Sequence, residues 1–250
     1  MHVVAIFGPT GVGKTAVALA LAERMRVRGE NPVAVSCDAL QVYENLPILT
    51  GTATAEEQQA LEHRLVGFVP ITEQFSVGDY LPRAHAEIDQ ALAAGRRPIV
   101  VGGTGLYLRA ALAELSFVKP PAGTEESELW SPDTRHPTLI FGLTMERERL
   151  YGRIEDRVDA IVAAGGEAEA RAAEALGPSR TASKALGFAQ LLAGDIDDMK
   201  KRSRNYARRQ MTWMRKMPDV RRLDMGDLSP AQAADEIVCV LEGAEAKARG

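Results

Sequence analysis

Eight residues near the start, Gly8-Pro9-Thr10-Gly11-Val12-Gly13-Lys14-Thr15, place glycines, a lysine and a hydroxyl at the spacing that holds a phosphate. Backbone N–H groups from Gly8, Thr10, Gly11, Val12 and Gly13 can converge on the anion only if side chains stay out of the way, and the glycines allow that. Lys14 neutralises the terminal phosphate, and the Thr15 hydroxyl can ligate Mg2+. Two other positions could do chemistry. Asp38 follows the apolar run Val33 to Ser36, and its carboxylate suits a magnesium site, a general base or simply a turn cap. Thr104 lies in Gly102-Gly103-Thr104-Gly105, where small residues let a ligand approach the backbone or simply make a turn. Gln41 and Tyr43, on the loop after Asp38, are candidates to read a substrate base.

These residues need strands to carry them. Val3 to Phe7, Val33 to Ser36, Pro98 to Val101 and Leu139 to Phe141 read as buried strands, and Val220 to Leu223 as a short last one. Between and after them, helical patterns fall at 54–62, 82–94, 106–115, 145–164, 167–176, 183–193, 195–217 and 230–241. Strands alternating with helices predict an α/β fold, a parallel sheet of the P-loop NTPase type flanked by helices, with a helical C-terminal half. Residues 1–143 form the P-loop α/β core, which includes a proline-rich linker at 116–137. Residues 144–250 form a mostly helical part that packs on the same core.

The chain has 250 residues and a formal net charge of −4, with 46% hydrophobic and 26% charged residues, which excludes a disordered or fibrous chain. No apolar run is long enough for a membrane span, and no secretory signal is visible. Two cysteines, Cys37 and Cys239, cannot make a disulfide framework, so a reducing cytoplasm is the expected setting. The four histidines show no ligand spacing. The mild acidity hides a basic block: residues 200–222 hold ten Lys/Arg and one acid, Asp219. Such a block addresses polyanions, with Arg204, Arg208 and Arg215 near one helical face. From these residues alone an enzyme acting on a phosphorylated substrate, a small-molecule kinase and a nucleic-acid-binding module all remain open.

Four segments together resemble the tRNA dimethylallyltransferase (tRNA isopentenyltransferase) family: GPTGVGKT at 8–15, SCDALQVY at 36–43, VGGTGLYLRAAL at 101–112 and RSRNYARRQMTWMRK at 202–216. SVGDY at 76–80 and ERERLYGRIEDRVDAIVAAG at 146–165 are similar to that family as well. The resemblance implies transfer of a five-carbon group from dimethylallyl diphosphate to the exocyclic amine of an adenosine beside the tRNA anticodon, assisted by Mg2+. The P-loop then holds a leaving group. Asp38 becomes the general base, Thr104 bonds near the reacting centre, and Lys14 and Arg204 stabilise the departing diphosphate. Asp38, Ala39, Leu40, Gln41, Thr104, Ser183 to Phe188 with Lys184, and Arg208 and Arg209 match positions that contact the tRNA anticodon stem-loop. The family usually carries a helical insert before the chain returns to the core. Here only 116–137 occupies that place, so the chain resembles a shortened form. The runner-up is the same transfer to a free adenine nucleotide. A monomer in the cytoplasm is expected.

Overall fold

A computed structural model of the chain describes residues 1–115 and 128–248. The expected strands are all present in one parallel sheet. They are β1 (Val3–Phe7), β2 (Val33–Ser36), β4 (Pro98–Gly102), β5 (Thr138–Thr144) and β6 (Val220–Asp224), with a two-residue β3 (His63–Arg64) that no apolar run announces. The order is β3-β2-β4-β1-β5-β6. Every residue of β1, β2 and β4 is buried, as a parallel sheet covered on both faces requires. Alternation along β1 sends Val3, Ala5 and Phe7 into one core and Val4 and Ile6 into the other.

Helix α1 (Lys14–Val27) covers one face and α5 (Gly105–Leu112) the other. The loops leading to these helices leave neighbouring strands in opposite directions, and a crevice opens above the carboxyl ends of β1 and β4. The C-terminal half supplies α6 (Arg147–Ala163), α7 (Gly166–Ala175), α8 (Phe188–Ala193), α9 (Ile196–Lys216) and α10 (Pro230–Lys247). It also supplies β6, paired to β5, so the sheet continues across the two parts. No helix among the described residues is long and apolar enough to cross a membrane.

Three elements differ from expectation. The helix expected at 82–94 is α4 (Val77–Ala93), because Ser76 and Asp79 form a capping box that starts it earlier and Pro82 is tolerated inside. The helix expected at 183–193 breaks in two. Gly187 adopts φ +96, and a Cβ there would press on Met199 and Leu49. A short α2 (Pro47–Thr50), which the sequence pattern does not announce, follows the Asp38 loop, whereas α3 (Ala55–Ala60) falls within the helix expected at 54–62. Of the linker, 116–127 lie outside the described residues. The rest is strapped to the core: the fully buried Arg109 donates to the carbonyls of Leu129 and Ser131 at 2.9 and 2.8 Å. Trp130 rests on Trp213, ring centroids 4.9 Å apart.

Gly102 ends β4 where it meets the turn out of β2. A Cβ there would lie 2.6 Å from the Cys37 carbonyl oxygen and 2.7 Å from its carbonyl carbon, backbone atoms that have little room to relax. Gly102→Ala is therefore expected to cost about 1–3 kcal/mol through overpacking and to displace the Asp38 loop. A thermal unfolding midpoint equal to the wild type would refute this close approach.

Candidate active site

The P-loop emerges from β1 and turns through Gly11 at φ +80 and Gly13 at φ +102, conformations that side chains resist. Val12 is fully buried, so it anchors the loop and offers the crevice only its backbone. Helix α1 starts at Lys14 and aims its N-terminus at the crevice. Lys14 Nζ donates to the carbonyls of Gly8 and Pro9, both at 3.0 Å, which folds the side chain back over the loop.

A cavity of about 610 Å³ lies above this loop. Its wall includes Thr10, Gly11, Gly13, Lys14 and Thr15, with Asp38, Leu40 and Gln41 from the loop after β2. The sequence-predicted phosphate loop and candidate base thus face one space. The other wall is α6 and α9, through Arg153, Ile154, Arg157, Met199 and Tyr206. Polar groups gather near the loop, and apolar side chains such as Leu49, Val158 and Ile161 line the remainder.

Asp38 is half-buried, and its Oδ1 accepts from the Leu40 N–H at 3.0 Å, which fixes the carboxylate in an Asx turn. Thr104 Oγ1 accepts from the Ala39 N–H at 3.2 Å and lies 3.4 Å from the Tyr206 hydroxyl. Ala39 and Thr104 therefore join the β2 and β4 loops just behind the cavity surface. Gln41 uses both ends of its amide inside the protein: Oε1 accepts from Ser36 Oγ at 3.0 Å, and Nε2 donates to the Gly51 carbonyl at 3.1 Å. Its amide is a clamp between loops. Tyr43, a candidate base reader, is instead 2% exposed within the core.

Sequence reasoning missed two residues here. Gln210 is 3% exposed on α9. Its Oε1 accepts from the Thr10 N–H at 2.8 Å and its Nε2 donates to the Gly103 carbonyl at 2.9 Å, so one amide ties the P-loop to the GGTG loop. Tyr206, inside the basic helix, lines the cavity beside Thr104. Only the docking of α9 over the two glycine loops reveals either role.

The basic block is less uniform than its composition. Lys200 pairs with Asp159, Arg202 with Asp198 and Arg204 with Glu155, at 2.7, 2.7 and 2.5 Å. The acids missing from the block come largely from α6. Arg204 thus stands on Glu155 rather than on the cavity wall. Arg221 and Arg222 sit on β6, an edge strand, where charge discourages strand pairing. Arg208 is exposed and donates to Asn205. The exposed Arg209 lies over the Tyr206 ring, and together with Lys184, Lys201 and Arg202 it lines a second, open depression.

Burial lowers the Lys14 pKa to about 8, opposed by the nearby Asp38 carboxylate and reinforced by the Arg157 charge. The ammonium thus loses its proton as pH rises through about 8, while an anion bound beside it would raise that value. Affinity for an alkyl diphosphate, whose own ionisation is complete by neutral pH, is expected to fall above about pH 8. Lys14→Met should bind weakly at every pH and lose the break. A flat wild-type profile through this range would contradict the assignment of Lys14 to the anion.

The IPP transferase family profile matches the chain in two segments, residues 41–133 and 118–217. A tRNA dimethylallyltransferase from Thermobifida fusca is 33% identical over 300 aligned positions, spanning 95% of this chain and 94% of that protein. One from Syntrophobacter fumaroxidans is 34% identical, spanning 91% and 84%. The crystal structure of the tRNA isopentenylpyrophosphate transferase of Bacillus halodurans superposes with a TM-score of 0.82 at 29% identity, covering 97% of this chain and 96% of that one. The Thermobifida alignment is longer than the 250 residues available, so that relative carries residues with no counterpart here. The two profile segments meet at 118–133, where the sequence resemblance expects a helical insert to be reduced. With its P-loop, Asp38 and GGTG loop gathered at one cavity and its length matched nearly end to end, this chain belongs to the IPP transferase family.

Proposed function

We propose that this chain transfers the dimethylallyl group of dimethylallyl diphosphate to the exocyclic amine of an adenosine next to the anticodon of tRNA, releasing diphosphate. The observation that carries it is the placement of the Asp38 carboxylate and the P-loop Lys14 on one cavity with an apolar wall between α6 and α9. A kinase would need the same loop and could use the carboxylate for its metal, but it would not need the apolar wall of Leu49, Val158 and Ile161 beside them.

The chemistry follows from the weakness of the nucleophile. An adenine amine shares its lone pair with the ring, so its proton must leave as the new bond forms. Asp38 accepts that proton while the nitrogen attacks the allylic carbon, and the carbon–oxygen bond to diphosphate breaks. Negative charge then grows on the departing oxygen, where Lys14 and the P-loop N–H groups stabilise it, each donor contributing roughly 3–4 kcal/mol. Thr104, which accepts from the Ala39 N–H and shares a contact with the Tyr206 hydroxyl, holds the Asp38 loop beside the reacting groups.

No cluster of carboxylates, histidines or cysteines among the described residues makes a protein cage for a metal. Magnesium suits this site nonetheless, because it binds phosphate oxygens with few protein ligands. Thr15 would hold it on the P-loop side, and when bound it neutralises charge on the diphosphate. The target base must leave its stack to reach this depth. Lys184 and Arg209 share the second depression and Arg208 is exposed on α9, where RNA phosphates would neutralise them. We further assign the chain to the cytoplasm as a monomer.

Asp38→Asn keeps the Asx turn and removes the base. It is expected to lower the chemical step by about 10²- to 10⁴-fold with near-normal binding of both substrates. A defect confined to diphosphate or metal binding would make Asp38 a metal residue instead. With the phosphate contacts of a full-length insert lacking, RNA binding is expected to be weak, and Arg208→Ala should reduce the remaining salt slope by about one contact. In competition at physiological salt, whole tRNA or an anticodon stem-loop should outperform AMP by kcat/KM. A preference for AMP would move the acceptor to free nucleotides.

A further inference from the structure

Helix α9 carries Tyr206, Gln210 and Trp213 at helical spacing, so the three share one face. Each of them touches the GGTG loop. The Tyr206 hydroxyl lies 3.4 Å from Thr104 Oγ1, and Gln210 Nε2 donates to the Gly103 carbonyl at 2.9 Å. Trp213 rests on the residue after Thr104: a Cβ on Gly105 would come 2.5 to 2.8 Å from three atoms of its indole. Contacts on Gly103 and Gly105 thus bracket Thr104. A glycine offers no side chain to grip the indole in return. Trp213 also meets Trp130, with ring centroids 4.9 Å apart and planes tilted by 42°. Trp130 is itself held from both sides, because the fully buried Arg109 of α5 donates to the carbonyls of Leu129 and Ser131. Further along the chain, Arg135 and His136 both reach Asp89 on α4, at 2.7 and 2.6 Å. The stretch from 129 to 136 is therefore tied to α4, α5 and α9 at once.

We propose that Trp130 is a positioning residue for prenyl transfer. Its indole backs Trp213, Trp213 seats α9 on Gly105, and α9 so seated keeps Thr104 on the Ala39 N–H of the Asp38 loop. Trp130 is not part of the main cavity wall, so it acts through these neighbours and not on the substrate. Removing its ring frees α9 to shift on the GGTG loop. A displacement of reacting groups by about 1 Å can cost about 10²-fold in rate. The donor is held by other means. The P-loop keeps its own anchors, the left-handed turns at Gly11 and Gly13 and the buried Val12. Loss of Trp130 therefore falls on the chemical step and leaves donor binding nearly intact.

This role rests on the prenyl-transfer function proposed above, and the test separates the two. Trp130 and Trp213 are the two tryptophans of the chain. Indoles this close couple their excitations and give a paired positive and negative band in circular dichroism, a signal that reports the stack without any turnover. The wild type, Trp130→Ala, Trp130→Phe and, as a surface control, Arg171→Met, whose side chain pairs with Glu167 on α7, are compared. Each is assayed for the paired band and for kcat and KM with dimethylallyl diphosphate and an anticodon stem-loop. The wild type should show the paired band. Trp130→Ala should lose it and lower kcat by about 10- to 10²-fold with KM for dimethylallyl diphosphate little changed. Trp130→Phe should also lose the band yet regain most of kcat, because a ring still backs Trp213. Arg171→Met should match the wild type in both. If Trp130→Ala does not fold, Trp130→Leu, which keeps apolar bulk without the ring, carries the test in its place. A folded variant with wild-type kcat, or one whose defect is confined to KM for the donor, would overturn the positioning role, as would a wild type without the paired band. A wild type that shows the band but prenylates no RNA would instead remove the function on which the role rests.

Discussion

Gln210 donates to the Gly103 carbonyl and accepts from the Thr10 N–H, and these two bonds hold the glycine loops of β1 and β4 at a fixed separation. Neither loop has side chains large enough to position itself, because each must leave room for a ligand. The constraint therefore comes from outside, from a buried amide on α9. In a dry environment both of its polar ends must be satisfied, and only one loop geometry satisfies them together. Helix α9 thereby sets the distance between the P-loop and the Thr104 loop, and Thr104 in turn fixes the Asp38 loop through the Ala39 N–H.

Charge divides the surface of α9 into two functions. Acids on α6 or within α9 itself neutralise Lys200, Arg202 and Arg204, and the two pairs that reach α6, from Lys200 and Arg204, bridge the helices. The cations left for ligands are elsewhere: Arg153 and Arg157 toward the cavity, and Lys184, Arg208 and Arg209 toward solvent. A count of lysines and arginines in 200–222 cannot make this separation, because the partners of Lys200 and Arg204 lie some 40 to 50 positions away in sequence.

Much of the fold was legible because its strands are apolar runs punctuated by glycine, and the phosphate loop was legible because its spacing leaves few alternatives. Asp38 and Thr104 were placed by a simple rule, that ligands gather at the carboxyl ends of parallel strands. What stayed hidden depends on contacts distant in sequence. Gln210 and Tyr206 look like ordinary helix residues until α9 is docked. Arg153 and Arg157 look like a solvated charge pattern until α6 is laid on the P-loop. Tyr43 and Gln41 looked available to a base because they follow Asp38 on its loop, but the core takes one, and the Ser36 hydroxyl and Gly51 carbonyl hold the other. The break at Gly187 is set by Met199 and Leu49, which no local periodicity reports.

The central physical claim is that this P-loop grips a leaving diphosphate and that a carboxylate one loop away activates an adenine amine. A single-turnover reaction with dimethylallyl diphosphate, Mg2+ and an anticodon stem-loop, quenched at intervals, follows both products at once. Mass spectrometry follows the five-carbon addition to RNA, and a coupled assay follows diphosphate. The expected result is one diphosphate released for each adenosine prenylated, at the same rate, with no turnover when ATP replaces the prenyl donor. Steady ATP hydrolysis without any five-carbon addition to RNA would contradict it.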